Sequence, residues 1–246
     1  MFTPNPIVMA LAQVQFPTIL AISGEAPVAF QELVRQTFPL FRERQGITIQ
    51  FGQPLLVPAS PLGTRVYDFA VADGSLTLSL AQDFLSVQTS QYKTWDVFRP
   101  QLELGIKALT AVYKPAFISR VGLRYQDLIV RSKLGLESVA WKDLLNPTIA
   151  GELENEDLAS NVLERSSNVT LTLNNEDERL TLNHGLVISE KNEQCYLIDA
   201  DFFSGKTVEP DHAIQSFNSL KRHSGRFFRW AISSVLAHKM AAKLLE

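Results

Sequence analysis

The chain has 246 residues, 46% hydrophobic and 20% charged, with 12 Gly, 12 Pro and a single Cys, a profile that excludes collagen, a disulfide scaffold and a disordered tail and leaves one large domain or two fused small ones. Lys and Arg number 23 against 26 Asp and Glu, a formal charge of -3, so attraction to a phosphate backbone is not written into the overall balance and a nucleic-acid role needs a local patch. Cys195 has no internal disulfide partner, which points to a reducing compartment and hence a cytoplasmic protein.

Residues 7–22 are apolar enough to resemble a secretion signal, but the first basic residue is Arg35 and Gln13, Gln15 and Pro17 interrupt the run. The stretch therefore reads as a buried strand over 7–16, closed by Pro17. No apolar window approaches the roughly 18 to 20 residues of a bilayer span, so a soluble protein with no membrane partner is expected. Val28, Phe30, Leu33, Val34, Phe38 and Phe41 predict a helix over 27–41 with Pro27 in its first turn and Pro39 as a kink or stop. A Pro- and Gly-rich connection follows, with a short strand over 47–51 and Pro54, Pro58, Pro61 and Gly63 as breakers. Tyr67, Phe69 and Val71, then Asp73-Gly74, then Leu76, Leu78 and Leu80 predict a hairpin, because apolar residues alternate on both sides of a turn pair that accepts positive φ. A strand through Leu85, Val87 and Thr89 precedes a helix with Trp95, Phe98, Leu102, Ile106, Leu109 and Val112 at helical spacing, capped by Thr94 and ended by Pro115.

The second half follows the same order. A long strand covers 116–130, Trp141, Leu144 and Leu145 mark a short helix, and residues 147–157 form a turn and an acidic segment. Strands are predicted over 161–173, 180–189 and 195–203. A terminal helix from Pro210-Asp211 is expected to bury Ile214, Phe217, Leu220, Phe227, Phe228, Ala231 and Val235, with a kink at Gly225. The predicted fold class is α+β: two pseudo-repeated β-α-β-β-β-α units, 1–115 and 116–246, integrated in one domain as a mainly antiparallel sheet of about eight strands with long helices packed on one face.

Opposite the apolar strand positions stand Thr77, Ser79, Ser86, Gln88, Thr170, Thr172, Thr181 and Asn183, polar but uncharged. A freely solvated antiparallel face carries more Lys and Glu, so Thr77, Ser79, Gln88, Thr170, Thr172 and Asn183 are candidates to receive a ligand, a peptide or a partner subunit. The alternative is ordinary β-propensity of Thr on a wet sheet.

On the first strand of the second half, period two puts Arg120, Gly122, Arg124 and Gln126 on one face and Val121, Leu123 and Tyr125 on the other. Two guanidinium groups flanking a glycine suit bidentate contacts to a carboxylate or phosphate. Asp199 and Asp201 also share a strand face, the spacing of a divalent-cation site, although Glu209, Asp211 and His212 lie beyond a turn. These four residues admit three readings: arginine–aspartate pairs across the sheet, anion binding by the arginines, or a metal site on the aspartates. The Arg-x-Gly-Leu-Arg-Tyr strand, Trp95 before a helix ending at Tyr113-Lys114-Pro115, and Leu197-Ile198-Asp199-Ala200-Asp201 resemble a sporadically distributed family of uncharacterised bacterial proteins, over most of the chain from Pro6-Ile7-Val8 to the helix with Leu220, His223, Phe228 and Ile232. The family carries Asn where this chain has Asp127. The resemblance implies a bacterial, patchily inherited accessory protein and supplies no activity.

His184, His212, His223 and His238 lack metal-ligand spacing, Cys195 reads as a small buried side chain, and Ser204-Gly205-Lys206-Thr207 lacks the upstream glycine of a phosphate loop, so no cofactor is expected. Lys221, Arg222, Arg226 and Arg229, interleaved with Phe227, Phe228 and Trp230, form a basic aromatic stretch open to nucleic acid, although helical register makes the rings core first. The expectation is a binding or adaptor protein with a ligand or protein partner rather than an enzyme. The alternatives are a metal-dependent phosphoester or nucleotide-processing enzyme using Asp199 and Asp201, and a nucleic-acid-binding accessory protein.

Overall fold

The computed structural model describes residues 5–45, 65–173, 177–189 and 191–240. Strand β1 (Ile7–Gln15) is followed by two short helices, α1 (Leu20–Gly24) and α2 (Val28–Val34), then by β2 (Leu40–Gln45), β3 (Arg65–Ala70), β4 (Leu76–Ala81), β5 (Phe84–Thr89) and the long α3 (Trp95–Tyr113). After β6 (Arg120–Ile129) come short 3-10 turns and the helical pieces α4 (Pro147–Ala150) and α5 (Glu156–Ala159), the strands β7 (Arg165–Thr172), β8 (Glu178–Ile188) and β9 (Gln194–Ser204), and finally α6 (Ala213–Ala231) and α7 (Ser234–Lys239). The fold is α+β. The described strands form one nine-stranded sheet in the order β2-β3-β4-β5-β1-β6-β9-β8-β7, with every neighbouring pair antiparallel.

The ninth strand starts at the end of the stretch expected to be helical and continues into the expected connection. Helix α2 stops at Val34, and Pro39 restricts Phe38 to extended backbone, so the chain leaves as β2 instead of continuing to Phe41. Phe41 then packs tilted against its register partner Phe69 at 5.5 Å between centroids and stacks on Tyr67 at 6.3 Å. The strand expected over 47–51 and the breakers Pro54, Pro58, Pro61 and Gly63 lie outside the described residues.

Cross-strand register assigns the two sheet faces. Ala10, Ala12 and Val14 of β1 stand beside Tyr125, Leu123 and Val121 of β6, and Leu78 and Leu80 of β4 beside Val87 and Leu85 of β5; all but Tyr125 are 0% exposed. Helix α3 lies close to this layer at Gly105, where a Cβ would come within 2.8 Å of Leu78 Cδ1 and 3.2 Å of Leu85 Cδ2. Phe227 of α6 meets Phe202 of β9 edge to face at 5.9 Å, and Trp95 Nε1 at the start of α3 donates to Asn218 Oδ1 of α6 at 3.0 Å. These side chains belong to one contiguous core.

Two further expectations are corrected. The turn expected from Pro147 before the acidic segment is a short helix, and a second one starts within that segment, because Asn146 and Asn155 each cap a helix with a side-chain carbonyl and Pro147 occupies a first-turn position. Helix α6 runs through Gly225 and breaks at Ile232, which bridges to Leu145, while Ser233 caps α7. That break turns Val235 outward, so it is exposed rather than buried. No described helix is long and apolar enough to cross a membrane.

Candidate functional site

The pleat of β6 places Arg120, Gly122, Arg124 and Gln126 on the sheet face opposite the apolar layer, and β9 places Asp199, Asp201 and Phe203 beside them. The charges close on one another. Arg124 grips Asp199 as a fork, Nε to Oδ1 at 2.6 Å and Nη2 to Oδ2, and Gln126 Nε2 donates to the same Oδ2 at 3.1 Å. Arg120 runs along its own strand over Gly122 to reach Asp201 Oδ2 at 2.7 Å, with its guanidinium carbon 4.5 Å from the centre of the Phe203 ring. Gly122 is required for this path, because a Cβ there would collide with the Arg120 guanidinium. The glycine thus serves an internal pair.

The two pairs differ in what dominates them. Hydrogen bonding to Asp199 raises the Arg124 pKa, whereas burial lowers that of Arg120 and raises that of Asp201 against their mutual attraction. Asp201 Oδ1 is buried and has no hydrogen-bond partner among the described residues. A divalent ion at these aspartates would have to displace both guanidinium groups, and no group of three or more His, Cys, Asp or Glu side chains able to hold a metal occurs among the described residues.

The uncharged polar positions share this face. Register aligns Thr77 with Gln88, Ser79 with Asp68 and Ser86, Thr181 with Asp201 and Thr170, and Asn183 with Asp199 and Asn168. The face therefore carries charge as well as Thr and Asn, and it holds that charge in pairs, since Arg44 Nε also reaches Asp68 Oδ2 at 2.6 Å and Ser79 bonds Asp68 Oδ1 at 2.7 Å. Ser79 is buried and Thr77 and Asn183 are half-buried, while Gln88, Thr170 and Thr172 are exposed.

Another arrangement lies on the apolar side of the sheet. Asp127 follows Val121, Leu123 and Tyr125 in the inward phase of β6, so its carboxyl is carried toward α6 instead of joining the arginines. It is 5% exposed, and burial, helped by the nearby Asp199 charge, pushes its pKa up to about 8. It lines a cavity of about 160 Å³ beneath α6 together with Tyr92, Tyr125, Phe202, Phe227 and Ser224. Asn5 fixes one wall, donating to the Tyr92 carbonyl at 2.6 Å and accepting from the Ile7 N–H at 3.2 Å. The sequence signal that marks Asp127 is an acid in the apolar phase of a strand, which the period-two reading of Arg120 to Gln126 stopped short of.

A buried polar cluster ties the edge of the second half together. The Tyr196 hydroxyl donates to the Ile149 carbonyl at 2.8 Å, accepts from Arg165 Nη1 at 2.7 Å and lies 2.8 Å from His184 Nδ1, while Arg165 Nε reaches Glu152 at 2.6 Å. Burial, then the Arg165 charge, lowers the His184 pKa to about 4, and burial raises that of Tyr196 to about 12. Every hydroxyl and ring nitrogen contact here holds α4, β7, β8 and β9 in place. His223 sits 3.0 Å from Glu178, Cys195 is buried, and Lys221, Arg222, Arg226 and Arg229 are exposed along α6. Phe227 and Phe228 pack partly buried against the core, whereas Trp230 is exposed. No protein-family profile, curated protein or solved structure matches the chain.

Proposed function

We infer that the chain is a cytoplasmic binding or adaptor protein that takes an extended segment of a protein partner along the edge of β7 and the adjoining Thr and Asn positions of β8. The contrast between the two sheet edges carries this reading. Strand β2, an edge among the described residues, is guarded by Arg42, Glu43 and Arg44, the usual defence against unwanted pairing. Edge strand β7 pairs with β8 alone among the described residues and presents Ser166, Asn168, Val169, Thr170, Leu171 and Thr172 exposed, without a charge among them. Such an edge suits strand addition, in which backbone hydrogen bonds give affinity and alternate side chains give specificity. Val169 and Leu171 would contact one face of the added strand and Thr170 and Thr172 the other.

The chain is further read as two copies of one unit, 1–115 and 116–246, with the long helices on one face. Support comes from β1 and β6 pairing at the centre of the sheet, each flanked by the last strand of its own three-strand meander. The test is retention of a partner from native lysate on wild-type chain and on a Thr170→Lys, Thr172→Lys variant with an unchanged melting temperature. Loss of the partner in the variant, with β7 amides protected from hydrogen exchange in the wild-type complex, is expected. A partner that survives both lysines, unchanged β7 exchange, or no partner at all overturns the reading.

A further inference from the structure

We propose that the cavity beneath α6 is a binding site for a small monocationic amine with a short apolar or aromatic body, its ammonium group held by Asp127. This stands on a different observation from the β7 edge and does not depend on it. The carboxyl of Asp127 is nine-tenths buried, lines the cavity, and makes no hydrogen bond or ion pair with any described residue. Elsewhere in the same sheet acidic groups are matched: Asp199 and Asp201 by arginines and Asp68 by Arg44. A buried acid without a partner is costly unless a ligand supplies one.

The walls favour a cation over a neutral or anionic partner. Tyr92 meets Tyr125 edge to face at 5.3 Å, and Phe202 meets Phe227 in the same manner at 5.9 Å, so two crossed ring pairs line the cavity along with the acid. Ring faces attract an ammonium group, and an aromatic enclosure with a carboxylate combines both attractions in a desolvated site. The volume of about 160 Å³ is close to that of a cavity able to admit a benzene-sized group. Lys221 and Arg229 also line the cavity but are exposed on α6, where solvent screens them. Screening weakens their repulsion without abolishing it, which disfavours a second positive charge at the outer end of the ligand.

Binding is accompanied by proton release. Burial keeps the Asp127 carboxyl largely protonated at neutral pH, and an incoming ammonium group restores the carboxylate, so the carboxyl proton passes to the buffer. The other titratable or charged groups facing this acid are Tyr92 before α3, Tyr125 on its own strand, Asp199 acting through the sheet from β9, and Lys221 and Arg229 on α6. Both tyrosines are shifted upward by burial and stay neutral, leaving Asp127 as the group that titrates on binding.

Calorimetric titration of the full chain with benzylamine, benzyl alcohol and benzoate, in two buffers of different ionisation enthalpy, tests the site. Saturable benzylamine binding with buffer-dependent heat is expected, weakened roughly tenfold or more in Asp127→Asn, which keeps the shape and removes the charge. Lys221→Gln should bind at least as well as wild type, since it removes a competing internal cation. Absence of saturable binding for benzylamine, phenethylamine and n-butylamine, equal binding by folded Asp127→Asn, or preference for benzoate or benzyl alcohol overturns the proposal.

Discussion

At the scale of single residues, β6 sends alternate side chains to different fates. Asp127 is buried among apolar neighbours, so folding raises its pKa from the ordinary value near 4 to about 8. Its protonated form is the one the fold tolerates, and stability from this group is complete below about pH 4 and is lost as pH rises through 8, with a slope of at most about 1.4 kcal/mol per pH unit. Thermal melts of wild type and Asp127→Asn from pH 5 to 9 should show the Asn variant gaining on wild type up to about pH 8 and the difference levelling off above it. The opposite dependence of His184, whose neutral form is favoured, is common to both chains and cancels in the difference. On the other side of the strand, removing Arg120 alone leaves Asp201 buried and unmatched, a loss of about 3–5 kcal/mol. Urea unfolding should place Arg120→Met in that range, with an Arg120→Met, Asp201→Leu double variant considerably more stable than the two single losses summed. Period two made both faces legible beforehand, including which residues accompany Arg120 and Arg124. It could not show that Arg120 folds back over Gly122, because the reach of a long side chain along its own strand depends on where Asp201 lies across the ladder.

At the scale of elements, α3 shows how local signals and packing divide the work. Thr94 caps it as expected, its side chain accepting from the Val97 N–H at 3.3 Å, and Thr94→Ala should lower stability by about 1 kcal/mol. Gly105→Ala ordinarily gains up to about 1 kcal/mol in a helix, but here the new methyl would meet Leu78 Cδ1 at 2.8 Å, closer than real contacts allow. The contact outweighs the propensity gain, so the variant should unfold at lower urea than wild type. The hairpin from β3 to β4 was readable because alternation and turn chemistry agree, and Gly74 takes the positive φ that the turn needs. Residues 35–41 were misread because Leu33, Val34, Phe38 and Phe41 mimic helical spacing while Pro39 and the pairing with β3 favour a strand.

At the scale of the whole molecule, the sheet has a defined centre and two unequal edges. Strands β1, β6 and β9 are paired on both sides and are covered by the contiguous core, whereas β2 and β7 are edges among the described residues. Native-state hydrogen exchange should therefore find the slowest amides in β1, β6 and β9, with β7 exchanging orders of magnitude faster in the free chain. Uniform protection across the sheet would contradict this distribution. The same asymmetry explains why the candidate binding edge and the amine cavity are separate: one depends on unpaired backbone at the periphery, the other on a polar group carried into the apolar side near the middle.

The sequence by itself determined the α+β class, most strand and helix positions and the faces on which Arg120, Arg124, Asp199 and Asp201 stand, because alternation, helical spacing, proline and capping residues act over a few positions. Tertiary structure alone decided that the four charges close on one another, that β2 adds a ninth strand, that β7 is an edge, and that Asp127 meets a cavity under α6. Those outcomes depend on strand order and on contacts between residues tens of positions apart. Local periodicity gives the phase of each strand but not the neighbour that each phase will face.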